Sequence, residues 1–205
     1  MSRAFKIEKQ PFCEEILFKK DKITIEPGLT VFVGCNGSGK TTLYHTLKEK
    51  LNKENIPVFS YDNVADGGDR ARSRAGFLND FSMLAGLVVS SEGEQIMINI
   101  GNIALQIKKL ITEAESEEVW LFFDAVDSGF SIDNICDFKS FIYNAVAPHA
   151  SELNKTLYVI CTANSYEMAN GENCFDVING EYIKFKDYES YKDFILETKK
   201  YKKER

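Results

Sequence analysis

The sequence predicts an α/β fold: a central, mostly parallel sheet flanked by helices, with an antiparallel β element on its N-terminal side. Three stretches carry the prediction. Leu29-Thr30-Val31-Phe32-Val33 is a short apolar, β-branched run that passes through a glycine-rich turn into Leu43, Leu47 and Leu51 at helical spacing. Glu118-Val119-Trp120-Leu121-Phe122-Phe123-Asp124 is an apolar strand ending in a carboxylate, and Thr156-Leu157-Tyr158-Val159-Ile160-Cys161-Thr162 is a further buried strand. At 205 residues the chain fits one α/β domain with a substantial core.

The turn after the first strand is Gly34-Cys35-Asn36-Gly37-Ser38-Gly39-Lys40-Thr41-Thr42, which matches G-x-x-x-x-G-K-[ST] in the strand-turn-helix context the motif requires. Its glycines let backbone N–H groups close around an anion, and the helix N-terminus adds positive partial charge. Lys40 supplies a mobile cation to the β- and γ-phosphates, and the Thr41 hydroxyl is a Mg²⁺ ligand. The alternative, a glycine turn that only joins strand to helix, leaves the lysine and two threonines without a reason. The sequence therefore predicts a phosphate-loop (P-loop) NTPase fold and a nucleoside triphosphate as ligand. Asp124, ending a hydrophobic strand downstream, is the expected second metal residue.

The elements follow in order. Residues 15–33 read as three strands: Ile16-Leu17-Phe18 and Ile23-Thr24-Ile25 form an antiparallel pair, and the turn Glu26-Pro27-Gly28 leads into the phosphate-loop strand. That pair would flank the nucleotide base. The first helix runs to about Asn52-Lys53, Pro57 marks its end, and Val58-Phe59-Ser60-Tyr61 is the next strand. A small variable lobe is expected at about 62–95. In it, Arg70, Arg72 and Arg74 are either a solvated charge run or a patch facing nucleotide or nucleic-acid phosphate. Ser91-Glu92-Gly93-Glu94 opens a helix carried onward by Ile96, Ile100, Ile103, Leu105, Ile107 and Leu110; it is a capping box, and equally a place for an anion. A helix is expected from Asp133 to about Ala147-Pro148. Phe175–Ile178 and Glu181–Phe185 read as a hairpin turning at Asn179-Gly180, and a lysine-rich aromatic helix occupies the tail from Tyr188.

A formal charge of -6 and a pI near 5.1 argue against a surface dominated by nonspecific nucleic-acid binding. No run approaches the roughly 18 apolar residues of a membrane span, and the N-terminus lacks a signal-peptide core. Five scattered cysteines (Cys13, Cys35, Cys136, Cys161, Cys174) without CxxC pairing read, beside a nucleotide site, as reduced thiols in a cytoplasmic protein, with Cys136 and Cys161 in the core.

The ordered set of the phosphate loop, Ser-Ser-Glu-Gly-Glu-Gln at 90–95, Leu-Phe-Phe-Asp at 121–124, Asp-Ser-Gly-Phe-Ser at 127–131 and a strand ending in Thr162 resembles the ABC-type ATPase superfamily. Within it, the chain resembles the soluble SMC- and RecF-type heads more than transporter subunits. The resemblance covers about residues 15–185. It implies a single ABC-type head over 1–205, binding ATP and Mg²⁺, with two nucleotides sandwiched between two heads. Ser91 and Gly93 of one head would then reach the γ-phosphate held by Lys40 of the other, with Asp124 on Mg²⁺ and the 127–133 segment near the partner.

Three departures from that family matter. Where its members place a water-polarising glutamate, after the Mg²⁺ aspartate, this chain has Ala125. Where they place a histidine it has Ala163-Asn164, and the glutamine after the strand at 58–61 is replaced by Asp62 or Asn63. The catalytic candidates become Asp127 and Asn164, and slow turnover is expected, since such groups contribute roughly 10²–10⁴-fold. Only about fifty residues separate Lys40 from Ser91, too few for long coiled-coil arms. Three functions are consistent with this sequence: an ATPase whose ATP-driven homo- or heterodimer works on nucleic acid or a partner effector, a nucleotide sensor that hardly hydrolyses, and, as the weakest match, a transporter ATPase subunit.

Overall fold

The computed structural model describes residues 2–7, 18–62, 104–125, 127–128 and 130–204. The chain opens with β1 (Arg3–Lys6), β2 (Lys22–Ile25) and β3 (Gly28–Val33), followed by α1 (Lys40–Lys53) and β4 (Val58–Asp62). After the described part of α2 (104–113) come β5 (Glu118–Asp124), α3 (Ile132–Phe141), α4 (Ala147–Glu152) and β6 (Thr156–Thr162). The chain closes with α5 (Tyr166–Ala169), β7 (Asn173–Asp176), β8 (Glu181–Ile183) and α6 (Tyr188–Lys203).

The main sheet has the order β4-β5-β6-β3-β7-β8, parallel except for the β7–β8 pair. This is the mostly parallel sheet of a P-loop fold. Strand β6 lies between β3 and β5, with Phe32 opposite Thr162 and Phe123 opposite Cys161. Their carboxyl ends are therefore level, and the phosphate loop, Asp124 and Thr162 emerge side by side at one rim, where ligands of open α/β sheets bind.

Period-two alternation splits each strand between two cores. In β5, Val119, Leu121 and Phe123 face one side with Ile107, Ile111, Phe138 and Ile142; Trp120 and Phe122 face the other with Leu43, Tyr44, Leu47 and Leu51 of α1. The second face is closed by β1 and β2. Phe5 meets Trp120 edge-on at 5.5 Å between centroids, Trp120 stacks on Tyr158 at 4.0 Å, and Arg3 pairs with both Glu54 and Glu118.

The structure departs from the sequence reading in four places. The partner of β2 is β1, with Phe5 opposite Ile23, and Phe18 lies outside any strand, because Phe5 and Ile7 supply the apolar partners that bury Ile23 and Ile25. Residues 16 and 17 lie outside the described residues. The helix expected to stop at Pro148 continues to Glu152. A π-type turn over Ile142–Val146, closed by the Ala147 N–H on the Ile142 carbonyl, shifts the register so that Pro148 enters at the start of α4, where its missing N–H costs nothing. The β7–β8 connection is a four-residue loop, since Asp176 pairs with Glu181. Asp176 organises it, accepting from the Ile178 and Asn179 N–H groups at 2.9 and 3.2 Å. Finally, Cys136 is exposed on α3, while Cys35, Cys161 and Cys174 are buried; all four are free thiols. No described helix is long and apolar enough to cross a membrane.

Candidate functional site at the carboxyl rim of the sheet

The loop between β3 and α1 takes its shape from glycines at positive φ. A Cβ on Gly34 (φ 146°) would lie 2.5 Å from Ser38 Oγ, so only glycine allows the loop to fold over itself there. Helix α1 starts at Lys40 behind the left-handed Gly39, with no side-chain cap and no acidic residue in its first turn. Its leading N–H groups thus face the rim with no side-chain cap among the described residues, which is the local basis of an anion site.

Lys40 is 92% buried, and its ammonium donates to the carbonyls of Gly34 (2.8 Å) and Cys35 (3.3 Å). Burial holds its pKa below the ordinary lysine value, with Cys35, Asp127 and Asp124 pulling the other way. A buried cation held only by carbonyls has an incomplete set of anionic neighbours, and a phosphate would complete it. Among the described residues, Ser38 Oγ and Asp127 Oδ1 are buried without a hydrogen-bond partner.

Across the rim, Thr41 Oγ1 lies 3.3 Å from Asp124 Oδ1, joining α1 to β5. The same carboxylate oxygen accepts from Thr162, whose hydroxyl in turn accepts the Ala125 N–H at 2.8 Å. A hydroxyl beside a carboxylate is a hard-oxygen pair suited to Mg²⁺, which completes its octahedron with water and phosphate oxygens. Among the described residues no cluster of three His, Cys, Asp or Glu offers an all-protein metal cage. The donor set therefore suits Mg²⁺ carried in with a phosphate ligand.

The match of the ATPase family associated with various cellular activities (AAA) spans residues 30–176. The chain belongs to the AAA family. No curated protein matches it. The family span begins inside β3 and ends with β7, enclosing the phosphate loop, Asp124 and Thr162. Strands β1, β2 and β8 and helix α6 lie outside the matched span of this AAA ATPase.

The other candidates fall as follows. Asp127 Oδ2 accepts from the N–H groups of Asn164 (2.7 Å) and Ser165 (2.6 Å), so the carboxylate ties the segment after β5 to the loop after β6. Its second oxygen, Oδ1, is the unpartnered one. Asn164 is exposed at the rim, its carbonyl accepting from Tyr191 Oη at 3.0 Å. Ala125 holds a left-handed φ of 49°, a conformation uncommon for a residue with a Cβ. Ser91, Gly93, Arg70, Arg72 and Arg74 lie outside the described residues.

Sequence reasoning missed two participants. Thr162 served only to mark a strand end, yet it links Asp124 to the Ala125 backbone. Helix α6 reads from sequence only as an aromatic, lysine-rich helix with no part in the site, yet Thr198 accepts the Cys35 N–H at 3.1 Å and Lys202 donates to the Asn36 carbonyl at 3.1 Å. No local pattern in the sequence marks Thr198 as buried against the phosphate loop.

Proposed function

We propose that this AAA ATPase binds ATP with Mg²⁺ at residues 34–42 and hydrolyses it slowly, as a compact ABC-type head that pairs with a second head when ATP is bound. The observation that carries the nucleotide reading is the 3.3 Å approach of Thr41 Oγ1 to Asp124 Oδ1 beside the buried Lys40 ammonium. Residues 34–42 and Lys40 would hold the phosphates; Thr41 and Asp124 would hold Mg²⁺, which when bound offsets phosphate charge. Slow turnover follows from Ala125, a methyl group where a carboxylate would polarise water, and from Asp127, which has one oxygen committed to the Asn164–Ser165 backbone.

The ABC-type and dimer parts rest on the motif order, with Ser91 and Gly93 of one head meeting the nucleotide of the other. Arg70, Arg72 and Arg74 are then the proposed contacts to nucleic acid, and a partner effector is the other recipient of the dimer's motion. The committed Asp127 oxygen also favours a second reading, a nucleotide sensor with almost no hydrolysis. Phosphate release and light scattering, measured on one sample with ATP, ADP and a non-hydrolysable ATP analogue, test these readings. Slow release with doubled mass only in the triphosphate forms is expected. A monomer in every state removes the dimer, and release at background level leaves the sensor.

A further inference from the structure

The peptide unit joining Gly34 to Cys35 is held at both of its polar ends. Its carbonyl, on Gly34, accepts the Lys40 ammonium at 2.8 Å, and its N–H, on Cys35, donates to Thr198 Oγ1 of α6 at 3.1 Å. A trans peptide points its C=O and N–H in opposite directions. Drawing the N–H toward α6 therefore aims the carbonyl at Lys40. Glycine at 34 leaves this peptide freer to rotate than any other residue would, so its direction has to be set from outside. The Cys35 carbonyl continues the arrangement, accepting the Ser38 N–H at 3.0 Å and the same ammonium at 3.3 Å.

A threonine inside a helix commonly bonds back to the preceding turn, and the Thr198 hydroxyl does donate to the Ile195 carbonyl at 2.9 Å. That accounts for its proton and not for its lone pair, which faces Cys35. Both residues are buried, so bulk water is kept from this bond. Helix α6 has other anchors. The Asp187–Ser190 capping box opens it, Tyr191 Oη donates to the Asn164 carbonyl at 3.0 Å, and Phe194 and Ile195 pack on the core. The helix is thus docked independently of Thr198, and it lies outside the 30–176 span of the family match.

We propose that Thr198 is a positioning residue for nucleotide binding: it orients the Gly34–Cys35 peptide, and through it the Lys40 ammonium, before any nucleotide arrives. The proposal rests on nucleotide binding at residues 34–42. A loop that must be ordered during binding loses affinity to the cost of ordering, so a loop shaped in advance binds more tightly. Thr198 acts on the loop and touches no phosphate, so its effect falls on tri- and diphosphate alike.

The test compares Thr198→Val, which keeps the branched shape and removes the acceptor, with Thr198→Ser, which keeps the acceptor. Thermal melts of the full chain check that each variant folds. Hydrogen exchange over residues 34–38 of the free protein reads the loop itself. Calorimetric titration with a non-hydrolysable ATP analogue and with ADP, each with Mg²⁺, reads affinity. In Thr198→Val, loop exchange and both dissociation constants should rise by about tenfold, the effect of stranding one buried N–H. Thr198→Ser should stay within about twofold of the unaltered protein in every measurement. Faster exchange with unchanged affinity would make Thr198 structural only and overturn the proposal, as would a valine variant whose loop exchanges no faster. Equal losses in the serine and valine variants would assign the effect to packing and overturn it too. Each of these outcomes leaves the phosphate-loop site standing. If the unaltered protein binds neither nucleotide, the site at 34–42 fails and this proposal with it.

Discussion

The Thr162 hydroxyl at the end of β6 donates to Asp124 Oδ1 at the end of β5, and accepts the Ala125 N–H in return. It fixes the direction of the carboxylate that the metal reading depends on and ties down the left-handed residue after it. Thr162→Val keeps the shape and removes both bonds. Bonds to a charged group contribute about 1.5–3 kcal/mol, so the melting temperature should fall by roughly 3–12 °C for a domain of this size. ATP turnover should drop by at least about tenfold if Asp124 orientation matters to the chemistry. Unchanged turnover in a properly folded variant would show that Asp124 keeps its place without Thr162.

Lys40→Ala should weaken ATP binding by at least about a hundredfold, because it removes the buried ammonium that the loop carbonyls hold toward the phosphates. Burial lowers the pKa of this amine in the free protein, against Cys35, Asp127 and Asp124. A bound phosphate favours the charged form and pulls the pKa back up. ATP affinity should consequently fall as pH rises through the lowered value, and binding above that value should take up a proton. Titrations in buffers of different ionisation enthalpy measure that uptake; its absence, or equal affinity in Lys40→Ala, would remove Lys40 from the site.

The strands and the phosphate loop were legible because they rest on local patterns. Alternation in β5 and β6, glycines at 34, 37 and 39, and Leu43-Leu47-Leu51 each need no partner to be recognised. The helix limit at Pro148 was misread because a π-type turn that absorbs a proline leaves no composition signal. The partner of β2 was misplaced because pairing depends on which apolar face covers Trp120, a long-range fact carried by Phe5 and Arg3. The contribution of α6 was illegible for the same reason. Lysines at 199, 202 and 203 look like any basic helix end until Thr198 and Lys202 are seen against residues 35–37.

Cysteine chemistry separates the two faces of this misreading. Cys136 is exposed, while burial raises the Cys161 thiol well above its usual range and that of Cys174 to about 12. The thiolate is the reactive form. Brief iodoacetamide treatment of the native protein at pH 8 should therefore label Cys136 and spare Cys161 and Cys174, with all three labelled after denaturation. Peptide mass mapping reads this directly. Native labelling of Cys161 would contradict its place in the core between β5 and β3.

The remaining question at the rim is what Asp127 does. One oxygen accepts the backbone N–H groups of Asn164 and Ser165, a purely positional duty, while the other is buried and unpartnered. A water held by Oδ1 would give that oxygen the partner it lacks and give the site the general base that Ala125 does not provide. Asp127→Asn keeps an acceptor for the two N–H groups and abolishes the base. Turnover should fall by at least about tenfold with ATP affinity nearly unchanged, within the range for a lost base. Asp127→Ala removes both backbone bonds as well, and should in addition lower the melting temperature by several degrees. Ala125→Glu is the complementary change, placing a carboxylate directly after Asp124; it should raise turnover, and do so in the Asp127→Asn background too. If Asp127→Asn turns over like the unaltered protein while Asp127→Ala melts early, Asp127 only positions the loop after β6, and water at this site is oriented by something else.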